Sequence, residues 1–289
     1  MEAGNFRTPA HRNNAPTRRK GRTLRPAPPD SVLMRLHNLV EKSRRSSVPL
    51  PGSFVRDEAS DEDPPLARIL RGGRGGEVRL KVLLTMHLQG ARDPYDVPGV
   101  PGYWAVHLGL ADENGFRRVR DAMNWLSENR FIRLERTRGK EPKCFLLSPL
   151  GDGQPYSRPT PALRYIRVPT AMWHNGWIVT LSGTALAMWL ILAEMQGGRE
   201  SQDVWVQPNE ARERYALSDD TFTKGISELE RHDLVRVSKQ PQGAAEAHYN
   251  RLRNAYYLYG GRFHDKPGTE PTDSSRQPLS AAVVPRKRR

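Results

Sequence analysis

Apolar positions recur in two matching stretches of the chain. The first runs from Arg118 to Ile132 and the second from Thr221 to Val235, at an offset of 103 residues. Val119 aligns with Phe222, Met123 with Ile226, Leu126 with Leu229, Phe131 with Leu234, and Ile132 with Val235. The small residues Ala122 and Gly225 align as well. Steps of four and then three place the first three aligned apolar side chains on one face of a helix. The closing apolar pair then opens a strand. The pattern therefore predicts, twice, a helix buried on one side that feeds directly into a β-ribbon.

The surrounding periodicity extends each copy into a unit. Before the first lie an apolar helix over Val78–Leu88 and a short helix over Trp104–Leu110. A Pro-rich loop, with room for one short strand, joins them. Asp112 is the candidate N-cap of the third helix. Strands Ile132–Arg136 and Lys143–Leu147 follow, with a turn at Thr137–Pro142 that contains Gly139. In the second half, Tyr165–Val168 alternates as a strand. Leu181–Met195 reads as the first long helix, with Ser182 as its N-cap, and Glu210–Tyr215 as the second. Ser218 caps the third. Val235–Lys239 and Asn254–Tyr259 read as the second ribbon, with Gln242–Ala245 at its tip.

These elements predict a mainly α fold with small β wings. The expected division is 1–30 a disordered basic arm, 31–76 a short helix and linker, and 77–148 the first domain. Then come 149–162 as a linker, 163–263 as the second domain, and 264–289 as a disordered basic tail. The linker reading of 46–65 rests on its prolines and on Asp57, Glu58, Asp61, Glu62 and Asp63. Arg71–Gly76 lacks the Gly-Lys-Ser/Thr of a phosphate-binding loop and reads as a flexible joint. The uncharged run Ile178–Ala193 is shorter than the roughly 20 residues of a membrane span and is interrupted by Thr180, Ser182, Gly183 and Thr184. It reads as a buried core helix, so no membrane association is expected.

Charge narrows the partner. The chain has 289 residues and a formal net charge of +14. Residues 1–30 contribute +5 and residues 261–289 contribute +4. Basic ends on a basic chain point to an anionic polymer, nucleic acid before membrane. The first domain carries a net +3, whereas residues 164–260 balance to zero. Cys144 is the single cysteine, which excludes a disulfide framework within one chain. The polar, Pro-rich start predicts no signal peptide. The eight histidines are dispersed, with no metal-ligand spacing, and no nucleophile motif sits in a strand-to-helix turn. The sequence therefore predicts a protein that is not an enzyme and that holds no cofactor or metal. His87 and His107 read as ordinary core or surface groups.

Both copies resemble the winged helix-turn-helix domains of bacterial transcription regulators, whose third helix commonly reads Thr-Val-x-x-Ala-Leu-x-x-Leu-x-x-x-Gly-Leu-Ile. The second copy matches through Thr221, Phe222, Gly225, Ile226, Leu229, Leu234 and Val235. The first matches through Val119, Ala122, Met123, Leu126, Phe131 and Ile132. Arg130 and Asp233 stand where glycine is usual. The first copy also has Arg118 in place of Thr, and a longer turn into its helix. Two such units in tandem also resemble plasmid replication initiators.

The resemblance implies two tandem winged helix-turn-helix domains, binding of double-stranded DNA, and a cytoplasmic, nucleoid-associated place in a bacterium. Transcription regulation leads. Initiation or control of replication of a plasmid or other mobile element, and a protein–protein scaffold, stand as alternatives. Arg117, Arg118, Arg120, Asp121 and Asn124 face away from the apolar stripe, where Arg can pair with guanine and Asn with adenine. Arg136, Arg138 and Lys140 supply a basic wing, with Arg133 and Lys143 beside them. In the second unit the DNA candidates are Thr221, Thr223, Lys224 and Lys239. Asp219 and Asp220 suit the helix dipole there but oppose phosphate. Trp173, Trp177, Trp189 and Trp205 leave a homodimer through the second domain open against a plain core.

Overall fold

The structure is a computed structural model that describes residues 24–56, 62–72, 74–159, 164–197, 203–206, 210–241 and 252–276. About 48% of it is helical and about 17% strand, the strands forming three small antiparallel sheets among the described residues. The chain is thus mixed α/β where the sequence predicted mainly α.

The first half opens with α1 (Asp30–Ser43) and β1 (Ser47–Pro51), then α2 (Pro65–Leu70) and α3 (Arg74–Gln89). β2 (Asp96–Pro98), α4 (Pro101–His107) and α5 (Glu113–Glu128) follow, and the hairpin β3 (Ile132–Glu135) and β4 (Lys143–Leu146) closes it. β4 lies between β2 and β3. Asp112 caps α5 by accepting the Gly115 amide at 2.5 Å. Val119, Ala122, Met123 and Leu126 are buried, as their spacing predicted. α5 packs mainly on α3 and α4.

The second half begins with β5 (Tyr165–Pro169), α6 (Ala171–His174) and α7 (Trp177–Thr180). α8 (Gly183–Gln196), α9 (Glu210–Glu213), α10 (Asp219–Arg231), β6 (Val235–Pro241) and β7 (Leu252–Leu258) complete it. Ser182 and Ser218 cap α8 and α10 through the amides of Ala185 and Thr221, each at 3.2 Å. Ile226, Leu229, Leu234 and Val235 are buried, and Phe222 packs half-buried beside them. Val204 bridges Tyr256, which adds a third line of chain to the β6–β7 ribbon. The tip of that ribbon lies outside the described residues.

The ends of α5 and α10 are built alike. Arg130 and Asp233 both adopt left-handed backbone, with φ of 62° and 55°. The next amide reaches back five residues in each: Phe131 to the Leu126 carbonyl and Leu234 to the Leu229 carbonyl, both at 2.9 Å. This closure turns the chain from helix into strand and satisfies carbonyls the helix leaves open. The glycine slot of the sequence pattern is therefore a real backbone requirement, met here by non-glycine residues.

Several segments are more ordered than the sequence predicted. β1 lies within the expected linker, yet it pairs antiparallel with β5, Val48 opposite Val168 and Leu50 opposite Ile166. Its partner lies over a hundred residues away, so no local pattern announces the pairing. The expected joint at Arg71–Gly76 already contains the start of α3. There a Cβ on Gly76 would fall 2.5 Å from the Leu70 carbonyl oxygen, so that glycine permits close approach of α2 and α3. Arg25, placed in the basic arm, donates to Glu77 at 2.5 and 3.0 Å. The expected tail from 264 starts with packed residues. Buried Arg262 binds the His232 carbonyl, the Asp265 carboxylate and the Thr269 carbonyl. Trp177 Nε1 donates to the Asp265 carbonyl at 2.8 Å.

One contiguous apolar core runs through both halves. α3 carries much of the junction. Lys81, buried in α3, donates to the Val179 carbonyl at 2.8 Å and pairs with Glu77 at 2.8 Å. Burial lowers the Lys81 pKa and Glu77 pulls it back up. Trp173 Nε1 donates to Thr85 Oγ1 at 3.0 Å. In α8, buried Glu194 sits 3.3 Å from Arg56 and 3.2 Å from Arg164. Buried carboxylates require such partners. No described helix is long and apolar enough to cross a membrane; the run read as a core helix breaks at Leu181 and Ser182 and is buried.

Candidate nucleic-acid interface

α5 is buried along one stripe and charged along the other. Arg117, Arg118, Arg120, Asp121 and Asn124 are all exposed. Asp121 lies 3.8 Å from Arg117 Nε and 3.9 Å from Arg120 Nε, so one carboxylate steadies two guanidinium groups. Exposed ion pairs contribute only about 0.2–1 kcal/mol each. Either arginine can therefore leave Asp121 for a stronger acceptor at little cost. Among the described residues Arg118 and Asn124 have no ion pair or side-chain hydrogen bond that holds them down.

The β3–β4 hairpin stands beside this helix, because β3 follows directly from its C-terminus. The Lys140 amide donates to the Thr137 carbonyl at 3.1 Å, and Gly139 has φ of 75°, so the tip is a tight turn with Arg138 at its corner. Arg136, Arg138 and Lys140 are exposed there. Arg133 Cζ lies over Phe145, 4.8 Å from the ring centroid. Lys143 is tied to Asp96 of β2 at 2.7 Å. Asp96 is the residue that sequence reasoning missed here; only the β2–β4 pairing brings it to Lys143.

α10 presents a more neutral surface. Asp219 pairs with Arg212 of α9, and Asp220 pairs with Lys224 at 2.6 Å. The two acids expected to repel phosphate are thus matched by bases, and Lys224 is already engaged. Thr221 is half-buried and shares the Ser218 hydroxyl at 2.9 Å, while Thr223 and Lys239 are exposed. Of the site residues named for the second half, Thr223 and Lys239 are the ones most open to a ligand.

The tryptophans divide. Trp173, Trp177 and Trp189 are fully buried, as in a plain core, whereas Trp205 is 43% exposed under the Arg253 guanidinium. Three of the four therefore offer nothing to a homodimer surface.

Among the described residues, no group of three or more His, Cys, Asp or Glu could hold a metal ion. His87 is fully buried in α3, and burial, aided by Arg45, pushes its pKa down to about 3, so it stays neutral. His107 Nδ1 lies 2.7 Å from the Tyr103 carbonyl. Burial raises the Cys144 thiol to about 12, far from a reactive thiolate. No family model, curated protein or solved structure matches the chain.

Proposed function

We propose that this chain binds double-stranded DNA through two winged helix-turn-helix units, with α5 as the principal reading helix. The observation that carries the proposal is the exposed face of α5. It sets Arg117, Arg118, Arg120 and Asn124 beside a hairpin tipped by Arg136, Arg138 and Lys140. Long cationic side chains on a helix narrow enough for the major groove, with more cations beside it for phosphate, fit duplex DNA. The order of elements supports the same reading. From α3 in the first half and from α8 in the second, the order is helix, short extended segment, helix, helix, hairpin; β2 pairs with the second hairpin strand of the first half and the isolated bridge residue Val204 with that of the second.

As the resemblance of both helix patterns implies, the role we propose is transcription regulation at the nucleoid of a bacterium. Immunoprecipitation of the protein with its bound DNA, followed by sequencing, tests it. Sites spread over many promoters are the expected result. A few repeats beside one replication origin would replace regulation with initiation, and the absence of enriched sites would leave a scaffold.

A further inference from the structure

Aromatic rings and arginines line one face of the second half's ribbon. The register sets Arg236 opposite Tyr257 and Gln240 opposite Arg253. Side chains two apart share a face of a strand, so these four point the same way. Val204 bridges Tyr256, which brings its neighbours Asp203 and Trp205 to this face. The contacts agree. Arg253 Cζ lies 3.8 Å from the Trp205 ring centroid, and Arg236 Cζ lies 5.1 Å from that of Tyr257. Asp203 accepts from Gln240 and sits 3.8 Å from Arg236. Tyr259 extends the row, its ring 5.2 Å from Tyr257. The opposite face holds buried Val235, Tyr256 and Leu258.

We propose that this face binds single-stranded nucleic acid, with bases stacking on Trp205, Tyr257 and Tyr259 and phosphates meeting Arg236 and Arg253. The inference does not rest on the duplex reading of α5. Every base has a π-face, so a row of rings accepts a strand without regard to sequence. A guanidinium stacked on a ring holds that ring in place and keeps its N–H edge for phosphate. Duplex bases are already stacked on one another, so an aromatic row suits an unpaired strand. Charge selects between occupants. Two arginines against Asp203 leave the face positive, which attracts a polyanion and disfavours apposition of the same face from a second copy.

The test titrates the full chain with a fluorescent twenty-nucleotide oligothymidylate and with a random duplex. Trp205→Ala and Tyr257→Ala should each weaken oligothymidylate binding about tenfold and leave duplex binding unchanged. Trp205→Phe, which keeps a ring, should stay within about threefold of the parent. Circular dichroism and light scattering accompany each variant. Failure of the parent to bind the oligonucleotide overturns the proposal. So does an unchanged affinity in both folded alanine variants, an equal loss on duplex and single strand, or a change in oligomeric state caused by Trp205→Ala.

Discussion

Arg130 and Asp233 occupy the same left-handed backbone position at the ends of α5 and α10, with φ of 62° and 55°. Such backbone costs an L-residue roughly 1–2 kcal/mol, and glycine's larger unfolded-state freedom offsets roughly 0.5–1 of that. Arg130→Gly and Asp233→Gly should therefore each raise stability by about 0.5–1 kcal/mol. Denaturant titration reads this directly. Losses in both variants would show that the side chains, not the backbone, decide these positions.

Gly225 meets α8 closely. A Cβ there would fall 2.4 Å from Met188 Cγ and 2.6 Å from the Thr184 carbonyl oxygen. Met188 is flexible, but the Thr184 oxygen is backbone and cannot step aside. Gly225→Ala should cost about 1–3 kcal/mol despite alanine's better helix propensity. A gain in thermal stability would mean the two helices separate freely.

Glu77 ties the Arg25 segment to the Lys81 junction. Burial pushes its carboxyl up, but hydrogen bonds from Arg25 and the nearby Lys81 outweigh burial and hold the pKa at about 2, against 4.5 ordinarily. A depressed carboxylate stabilises the fold above its unfolded pKa and loses that contribution as pH falls through the folded one. Stability should therefore decline between about pH 4.5 and 2, and Glu77→Gln should flatten that part of the profile. At neutral pH the same change should cost about 3 kcal/mol, because Lys81 stays buried without its counter-charge. An unaltered acid limb in Glu77→Gln would remove Glu77 from the account.

The C-terminal segment past Phe263 is packed on the body through Asp265 and Thr269. Truncation after Phe263 removes Asp265 and Thr269 from buried Arg262, and Asp265 from Trp177. That should cost about 3 kcal/mol or more. A melting temperature equal to that of the full chain would contradict it.

What the sequence made legible was local. The stripe Val119, Ala122, Met123 and Leu126 needs only helical period, and the caps Asp112, Ser182 and Ser218 need only residue type and position. The exposed charges of α5 follow from the same period. What stayed hidden depends on distant chain. β5 alternates as a strand in the sequence, but β1 shows itself only through its pairing with β5, because its prolines and acidic neighbours look like linker. Asp96 meets Lys143, and Asp203 meets Arg236, only through strand pairing. Trp205 carried no mark separating it from three core tryptophans, because strand parity depends on the Val204–Tyr256 bridge. Arg262 reads as tail charge until its buried partners are seen.

The central claim is that α5 reads DNA and α10 does not lead. Binding titrations on the preferred duplex and on random duplex, at one salt concentration, test it most directly. Arg117→Ala, Arg120→Ala and Asn124→Ala should each cost about 1–3 kcal/mol on the preferred site and narrow its advantage over random sequence. Arg138→Ala and Lys140→Ala should weaken both duplexes nearly equally, as phosphate contacts do. Lys224→Ala, on a helix opened by Asp219 and Asp220 in a half without net charge, should do less than any change on α5. A larger loss from Lys224→Ala than from Arg117→Ala and Arg120→Ala would move reading to the second half. Unchanged binding in every folded variant would contradict the account altogether.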